Sequence, residues 1–448
     1  MDSLGESDAA IRAEREALTV LRPTTVPDGC KDAAWHLGSL LGESEDWQGA
    51  AAAMREAVEA AELAFHARLD TSARQRETRS AGNLHRWAAY AIARAGDARD
   101  AAVVLDAGRG REIGRRLGSD TVLDGVPATL RTDYQTAVQA LASSPLGKDT
   151  TGASRQLQGI ITAIREIAGH QRFGAGPSWE ELVPAVEPGW PLIYVNPAPS
   201  GTLLLVLSPG DNADGATAEA RFIEATSNDV FLRLIAGDGE PGAGHDDGAS
   251  YLFSLGGSGD SDLRTALDQM LPWLGEAIAR PIADELRACG ATGATLILCG
   301  PLGLAPLHVA PWQGEGRLRC LADEFETRFA PSAIVCGAAL RRATRERPAS
   351  FIALADPQGD LPAARPEAVE IAALFGSANS EVAVGPEADA DFLRRYAARD
   401  LSALSLPCPR RSVRRRRSRH PPRVRPGCGY RSHRPSTARH SPCRRLRM

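Results

Sequence analysis

The residues able to do nucleophilic chemistry in this sequence are its cysteines, and their spacing limits what that chemistry can be. Eight cysteines are spread over 448 residues with no CxxC pair and no metal-ligand spacing. That pattern predicts neither a metal site nor a cofactor. Cys299 and Cys336 end or sit within apolar runs and are expected to be buried, inert thiols. His308, in Pro306-Leu307-His308, is a tempting general base, but its expected role is structural. Asp356-Pro357 follows the run Phe351–Ala355 and is expected to shape a loop or cap a helix rather than line a cleft. Glu367 is expected to open a helix, where a carboxylate suits the positive dipole end. No residue is therefore assigned a catalytic role. The position of most interest is Cys408, which follows the last apolar run and is itself followed by Pro409-Arg410.

The elements that must position these groups are short. Apolar runs at Ala294–Cys299, Phe351–Ala355, Glu381–Val384 and Leu401–Leu406 read as strands. Helical stretches at Pro362–Phe375 and Asp389–Ala398 separate the last three. Strands alternating with helices imply a mainly parallel sheet covered on both faces. Chemistry in such sheets sits past the carboxyl ends of the strands. Upstream, Pro191–Val195 and Thr202–Leu207 read as a hairpin, and Trp179-Glu180-Glu181-Leu182 opens a short helix. Asp262–Cys289 reads as one long amphipathic helix, bent or broken at Pro272 and Pro281. Gly237–Ser250, rich in Gly and Asp, reads as an exposed loop, without the Walker or Rossmann spacing that would make it a phosphate site.

The first 120 residues read as helical repeats. Ala34, Leu37, Gly38 and Leu41 fall on one helical face, and Ala50, Met54, Ala57 and Ala60 on the next. A weaker copy runs through Trp87, Tyr90 and Ala91, then past Ala95-Gly96-Asp97 to Ala101, Ala102 and Leu105. Ile11–Leu21 supplies part of another. The small residues at close-packing positions resemble the tetratricopeptide pattern, although two clear units are fewer than the about three a solenoid usually needs. A helical bridge follows over 121–175: one helix through Leu130, Tyr134, Val138 and Leu141, the loop Ser143–Thr151, and a second helix through Leu157, Ile160, Ile161, Ile164 and Ile167.

Composition divides the chain sharply. The overall net charge of −4 hides two unlike parts. Residues 409–448 hold 15 Arg and no Lys, Asp or Glu. The other 408 residues carry 37 basic against 56 acidic side chains, a charge of −19. An acidic body gives no reason for nucleic-acid binding. The start of the chain, MDSLGESDAA, is acidic and polar, which predicts no signal peptide. No apolar run approaches the roughly 18 residues of a membrane helix. A cytoplasmic protein without a membrane partner is the expectation.

In order along the chain, helical repeats, a helical bridge, PLIYV, TLILCGPLGLAPLHVAPW, FAPSAIV and FIALADPQGDLPAARPEAVEIAALF resemble a CHAT-domain protein. That family comprises caspase-like cysteine peptidases commonly preceded by tetratricopeptide repeats. The resemblance implies, over 176–408, an incomplete caspase-like α/β domain, so that the chain as a whole is α plus α/β. In intact members a His–Cys dyad does the work. The thiolate attacks, the His transfers the proton and backbone amides hold the oxyanion. The family His lies in a Cys-His-Gly motif after the strand matching Leu401–Leu406, and the family Cys ends a later strand. Here Cys408-Pro409-Arg410 stands in that place. One coding of Cys-His-Gly, TGC CAC GGN, becomes Cys-Pro-Arg on insertion of a single C after the first codon. Residues 409–448 are therefore expected to be an out-of-frame, disordered basic tail, and Cys408 the neighbour of a missing His.

Several functional expectations follow. The chain is a remnant of a CHAT-domain peptidase, inactive as written, with a protein partner bound through its helical repeats. Peptide substrates belong only to an intact parent. The alternative is a non-enzymatic adaptor built on the repeats. A third reading is a nucleic-acid binder through Arg410–Arg417, the fifteen arginines of the whole tail adhering without specificity.

Overall fold

The fold is taken from a computed structural model of the chain. The structure describes residues 2–405 apart from 24–25, 68–70, 110–124, 143–150, 169, 171–175, 211–214, 237–250, 252–259, 344–349, 360, 362, 377 and 397–402. The loops at Gly237–Ser250 and Ser143–Thr150, Cys408 and the basic tail lie outside these residues. The chain divides into two units, Met1–Arg347 and Pro348–Met448.

The first unit begins with five helices: α1 (Asp2–Val20), α2 (Pro27–Glu43), α3 (Trp47–Ala67), α4 (Thr71–Arg94) and α5 (Ala98–Ala107). α2 and α3 form one hairpin and α4 and α5 a second. The residues read from the sequence are buried in both, Ala34, Leu37, Gly38, Leu41, Ala50, Met54, Ala57 and Ala60 in the first and Tyr90, Ala91, Ala101, Ala102 and Leu105 in the second. Gly38 is needed as a glycine, because a Cβ there would lie 2.8 Å from Met54 Cγ. The two turns repeat each other atom for atom. Glu45 and Gly96 both take positive φ, 61° and 94°. Asp46 and Asp97 follow them, and each carboxylate accepts from the amide three residues on, Gly49 and Asp100, at 3.0 Å. This is N-cap geometry, with the freed helix amides satisfied by a side chain. Trp35 and Trp87 meet edge to face across the hairpins, their centroids 5.3 Å apart. Two further helices, Ala128–Ala142 and Thr151–Arg165, share a small core of Val126, Ala137, Leu157, Ile161 and Ile164.

A five-stranded mixed sheet follows in the same unit, in the order β3-β2-β1-β4-β7. β1 (Leu192–Ala198) and β2 (Gly201–Pro209) form the hairpin expected from the sequence, and β3 (Ala216–Ile223) adds antiparallel to β2. β4 (Gly293–Leu298) runs parallel to β1, and β7 (Glu326–Phe329) parallel to β4. The two-stranded ribbon of β5 (Trp312–Gln313) and β6 (Leu318–Arg319) stands apart from this sheet. Period-two geometry splits each central strand between two cores. Leu192, Tyr194, Ala198, Leu203, Leu205, Leu207, Ile297 and Cys299 join the core of the helical hairpins. Ile193, Val195, Leu204, Val206, Leu296 and Leu298 pack against Asn228–Ala236 and the helical run Asp260–Ala288. The strands read as continuous apolar runs because both faces are covered.

That helical run is not one straight helix. Asp260–Leu274 and Arg280–Ala288 flank a π segment, Gly275–Ala279. Pro272 is accommodated inside the first helix. The widened turn lies where the chain at Pro311 presses on Gly275: a Cβ there would sit 1.8 Å from the Pro311 carbonyl oxygen. Glu276 on this turn accepts from the Gln313 amide at 2.6 Å.

The second unit holds a parallel three-stranded sheet in the order β10-β8-β9: β8 (Phe351–Ala355), β9 (Ser380–Val384) and β10 (Ala403–Ser405). The helices Ala364–Phe375 and Ala390–Tyr396 cover it through separate clusters, one with Phe351, Ala353 and Ala355, the other with Ile352 and Leu354. The single sheet expected to join Ala294–Cys299 with the three later strands is thus two sheets. Each strand has only two hydrogen-bonding edges. β4 gives both to β1 and β7, and β8 gives both to β10 and β9, so neither pairs with the other.

Candidate functional site

The carboxyl end of the three-stranded sheet is the place the sequence singled out. β10 lies at one edge of that sheet, with Ser405 in register with Ala353 of β8. Beyond β8 the chain enters Asp356, which takes a φ of 52°, left-handed and uncommon for a residue with a side chain. Its backbone carbonyl accepts from Gly359 N at 3.3 Å, and its Oδ1 from Leu361 N at 2.9 Å. Asp356 therefore holds the turn that starts the next helix, as the sequence suggested. Glu367 falls in the first turn of that helix. Cys408 lies outside the described residues.

The other sequence-singled residues lie in the first unit and do not assemble into a catalytic pair. His308 is half-buried on a short helical turn, edge-on to Phe329 at 5.3 Å. Among the described residues its Nδ1 has no protein partner, and no thiol or carboxylate pairs with it. Cys299 and Cys336 are buried, and burial pushes both thiols up from the usual range. Neither has the depressed pKa of an activated nucleophile. Among the described residues no cluster of three or more His, Cys, Asp or Glu could hold a metal, and no helix is long and apolar enough to cross a membrane.

A polar cluster that the sequence did not disclose occupies the carboxyl ends of β1 and β4. Three residues of the helical hairpins build it: Arg86 on α4, and Asp106 and Arg109 at the end of α5. Asp106 is 1 % exposed. It accepts from the Tyr194 hydroxyl at 2.7 Å and the Ala333 amide at 2.6 Å, and more weakly from Ile334 N at 3.4 Å. The last two are the first amides of the helix Ala333–Ala343, so a carboxylate from α5 caps a helix of the α/β layer. Burial raises the Asp106 pKa, and those three hydrogen bonds oppose the shift. Arg109 donates from Nε to the Pro331 carbonyl and from Nη2 to that of Leu298, both at 2.8 Å. Arg86 donates to Asn196 Oδ1 at 3.2 Å, Asn83 Oδ1 at 3.0 Å, Asn228 Oδ1 at 2.7 Å and the Pro197 carbonyl. Asn196 returns a bond from its amide to the Arg86 carbonyl at 2.8 Å. At the far edge Arg94 lies over the Phe222 ring, 4.0 Å from its centroid, and pairs with Glu224. Apart from Arg86–Asn83, these contacts join positions 88 to 228 residues apart in the chain, which is why no local pattern announced them.

No curated protein matches the chain. The family model described as the CHAT domain matches residues 268–404. The match opens inside the helix Asp260–Leu274 and closes within β10, so it takes in β4, the Gly300–Trp312 segment, β7 and all of the three-stranded sheet but Ser405. The helical hairpins and β1–β3 lie outside it. Over that span the chain carries a CHAT domain.

Proposed function

We propose that this chain is a CHAT-domain protein of the caspase-like cysteine peptidase type that lacks peptidase activity as written. The observation carrying this reading is the placement of β10. It is the outer strand of the parallel order β10-β8-β9, and three residues beyond its last position the sequence reads Cys408-Pro409-Arg410 in place of Cys-His-Gly. In the family resemblance the His follows this strand and the nucleophilic Cys ends a later one. A strand pairing along β10's outer side would bring those two ends together, which is what a dyad needs. At the position where the resemblance puts the His that would accept the thiol proton, this sequence has Pro409. The switch from an acidic body to a tail with no acidic residue at the same point supports a change of reading frame there.

The test is at the gene. Removing one base after the Cys408 codon should give His-Gly followed by further α/β sequence, and the product should cleave peptides only while its new nucleophilic Cys is intact. The chain as written should cleave none. Peptidase activity from it, or a restored frame without His-Gly, sinks the reading.

The helical hairpins in this proposal bind a protein partner, and tetratricopeptide-type recognition is the supporting analogy. α4 and α5 pack directly on β1 and β3, so the proposed partner surface is on α1–α3. A reading as a freestanding adaptor finds less support for the same reason. Binding of nucleic acid rests on the tail alone, and it predicts a salt-sensitive shift that disappears when the chain is cut after Cys408.

A further inference from the structure

The polar cluster at the ends of β1 and β4 carries two guanidinium groups, and among the described residues no carboxylate is hydrogen-bonded to either. Arg86 is 7 % exposed. Every acceptor it meets is a neutral amide or carbonyl oxygen. Arg109 likewise donates to two carbonyl oxygens. Among the described residues neither arginine forms a salt bridge. Asp106, which accepts from Tyr194 and the Ala333 amide, sits close enough to act on Arg109, so among the described residues Arg86 is the cation that no carboxylate faces. Cys299 lies beside both arginines, and burial pushes its thiol up against their opposing effect. Neutral oxygens satisfy the N–H groups without cancelling the charge. A buried cation without a counter-ion is costly.

The arginines line a cavity of about 160 Å³ together with Asn83, His85, Leu105 and Gly300. Gly300 takes a φ of 58°, and a Cβ there would lie 2.4 Å from the Arg86 guanidinium carbon. Glycine thus leaves the space in which Arg86 lies across the strand end. The cavity occupies the carboxyl end of parallel strands, where α/β sheets take ligands. Its volume is well below the roughly 300–1,000 Å³ of drug-sized sites.

We infer that this cavity binds a phosphate-sized oxyanion, held between the guanidinium groups of Arg86 and Arg109. The planar, permanently charged fork of arginine suits a tetrahedral oxyanion, and the anion supplies the missing negative charge. The proposal stands apart from the peptidase reading, since β1, α4 and α5 lie outside the three-stranded sheet.

The experiment uses the full chain. Thermal melts and calorimetric titrations are run with inorganic phosphate against sodium chloride of equal ionic strength, and separately with phosphoserine. Saturable binding of phosphate, with a rise in Tm that chloride does not give, is the expected result. A pocket for free anion responds to inorganic phosphate alone, and a pocket for a phosphoryl group responds to both. In Asn83→Asp a carboxylate placed 3.0 Å from Arg86 Nη1 takes over the anion's role. That variant should melt no lower than the parent without phosphate and bind phosphate roughly tenfold more weakly or worse. No phosphate-specific response in the parent chain overturns the proposal, whatever the variant does. Equal phosphate binding by parent and Asn83→Asp also overturns it.

Discussion

Cys30, Cys299 and Cys336 are buried, while Cys289 is exposed. Thiolates react and thiols do not, so access and pKa act together. Burial, reinforced by Glu56, pushes the Cys30 thiol up to about 11. In the native chain at pH 8, iodoacetamide should modify Cys289 ahead of Cys30, Cys299 and Cys336, as peptide mass spectrometry would show. The same shift has a stability consequence. A thiol whose pKa is higher folded than unfolded keeps its proton longer in the native state. Its contribution is complete below about pH 9 and declines as pH rises toward about 11. Denaturation midpoints should therefore fall over that interval by less in Cys30→Ala than in the parent. Gly300 makes a second residue-scale case. Its positive φ and its contact with Arg86 both penalise a side chain, so Gly300→Ala should cost about 1–3 kcal/mol in urea denaturation. The cysteine burial was legible from apolar runs in the sequence. The role of Gly300 was not, because Arg86 reaches it from more than two hundred residues away.

Elements were legible in proportion to how much apolar surface they bury. The β1–β2 hairpin and the faces of α2 and α3 follow from apolar spacing alone, since one side of each is core. β3 went unread because its inward residues are mostly alanines and its outward ones include Glu219 and Arg221. β7 is only four residues, ETRF, and none of its residues is fully buried. The helix Ala333–Ala343 begins where Asp106 meets its first amides, a cap supplied from another element and invisible to a local reading. That cap makes a prediction at this scale. Asp106→Ala leaves the Tyr194 hydroxyl and two helix amides without their acceptor in a buried setting. Unsatisfied buried donors cost about 1–3 kcal/mol each. The variant should lose at least as much as one such group and more than Asp97→Ala, whose N-cap role predicts about 1 kcal/mol. Equal losses in the two variants, measured by denaturant midpoints, would show that the contact between α5 and the sheet carries no particular load.

For the whole molecule, what matters is where one core ends and the next begins. The sequence reading places a boundary near residue 120, between the helical repeats and the helical bridge that precedes the strand-bearing region. Packing runs across that position. Leu84, Ile92, Leu105, Tyr194, Leu203 and Cys299 belong to one continuous cluster, drawn from α4 and α5 on one side and β1, β2 and the end of β4 on the other. Removing the sheet uncovers the apolar face of α4 and α5, and removing the helices uncovers one face of the sheet. Exposed apolar patches of that kind drive association. Shared burial also predicts a single cooperative transition. A chain of residues 1–347 should accordingly be monodisperse in size-exclusion chromatography and melt in one step by circular dichroism. A chain of residues 1–120 should self-associate or melt without a clear transition, although composition alone would mark it as a free-standing repeat domain. Monodisperse, cooperative folding of the 1–120 fragment would show that the helical hairpins stand independently, and would favour the alternative adaptor reading. Self-association of that fragment beside an orderly 1–347 chain would instead make the hairpins a structural layer of the α/β unit, with a partner reaching the sheet only through α4 and α5.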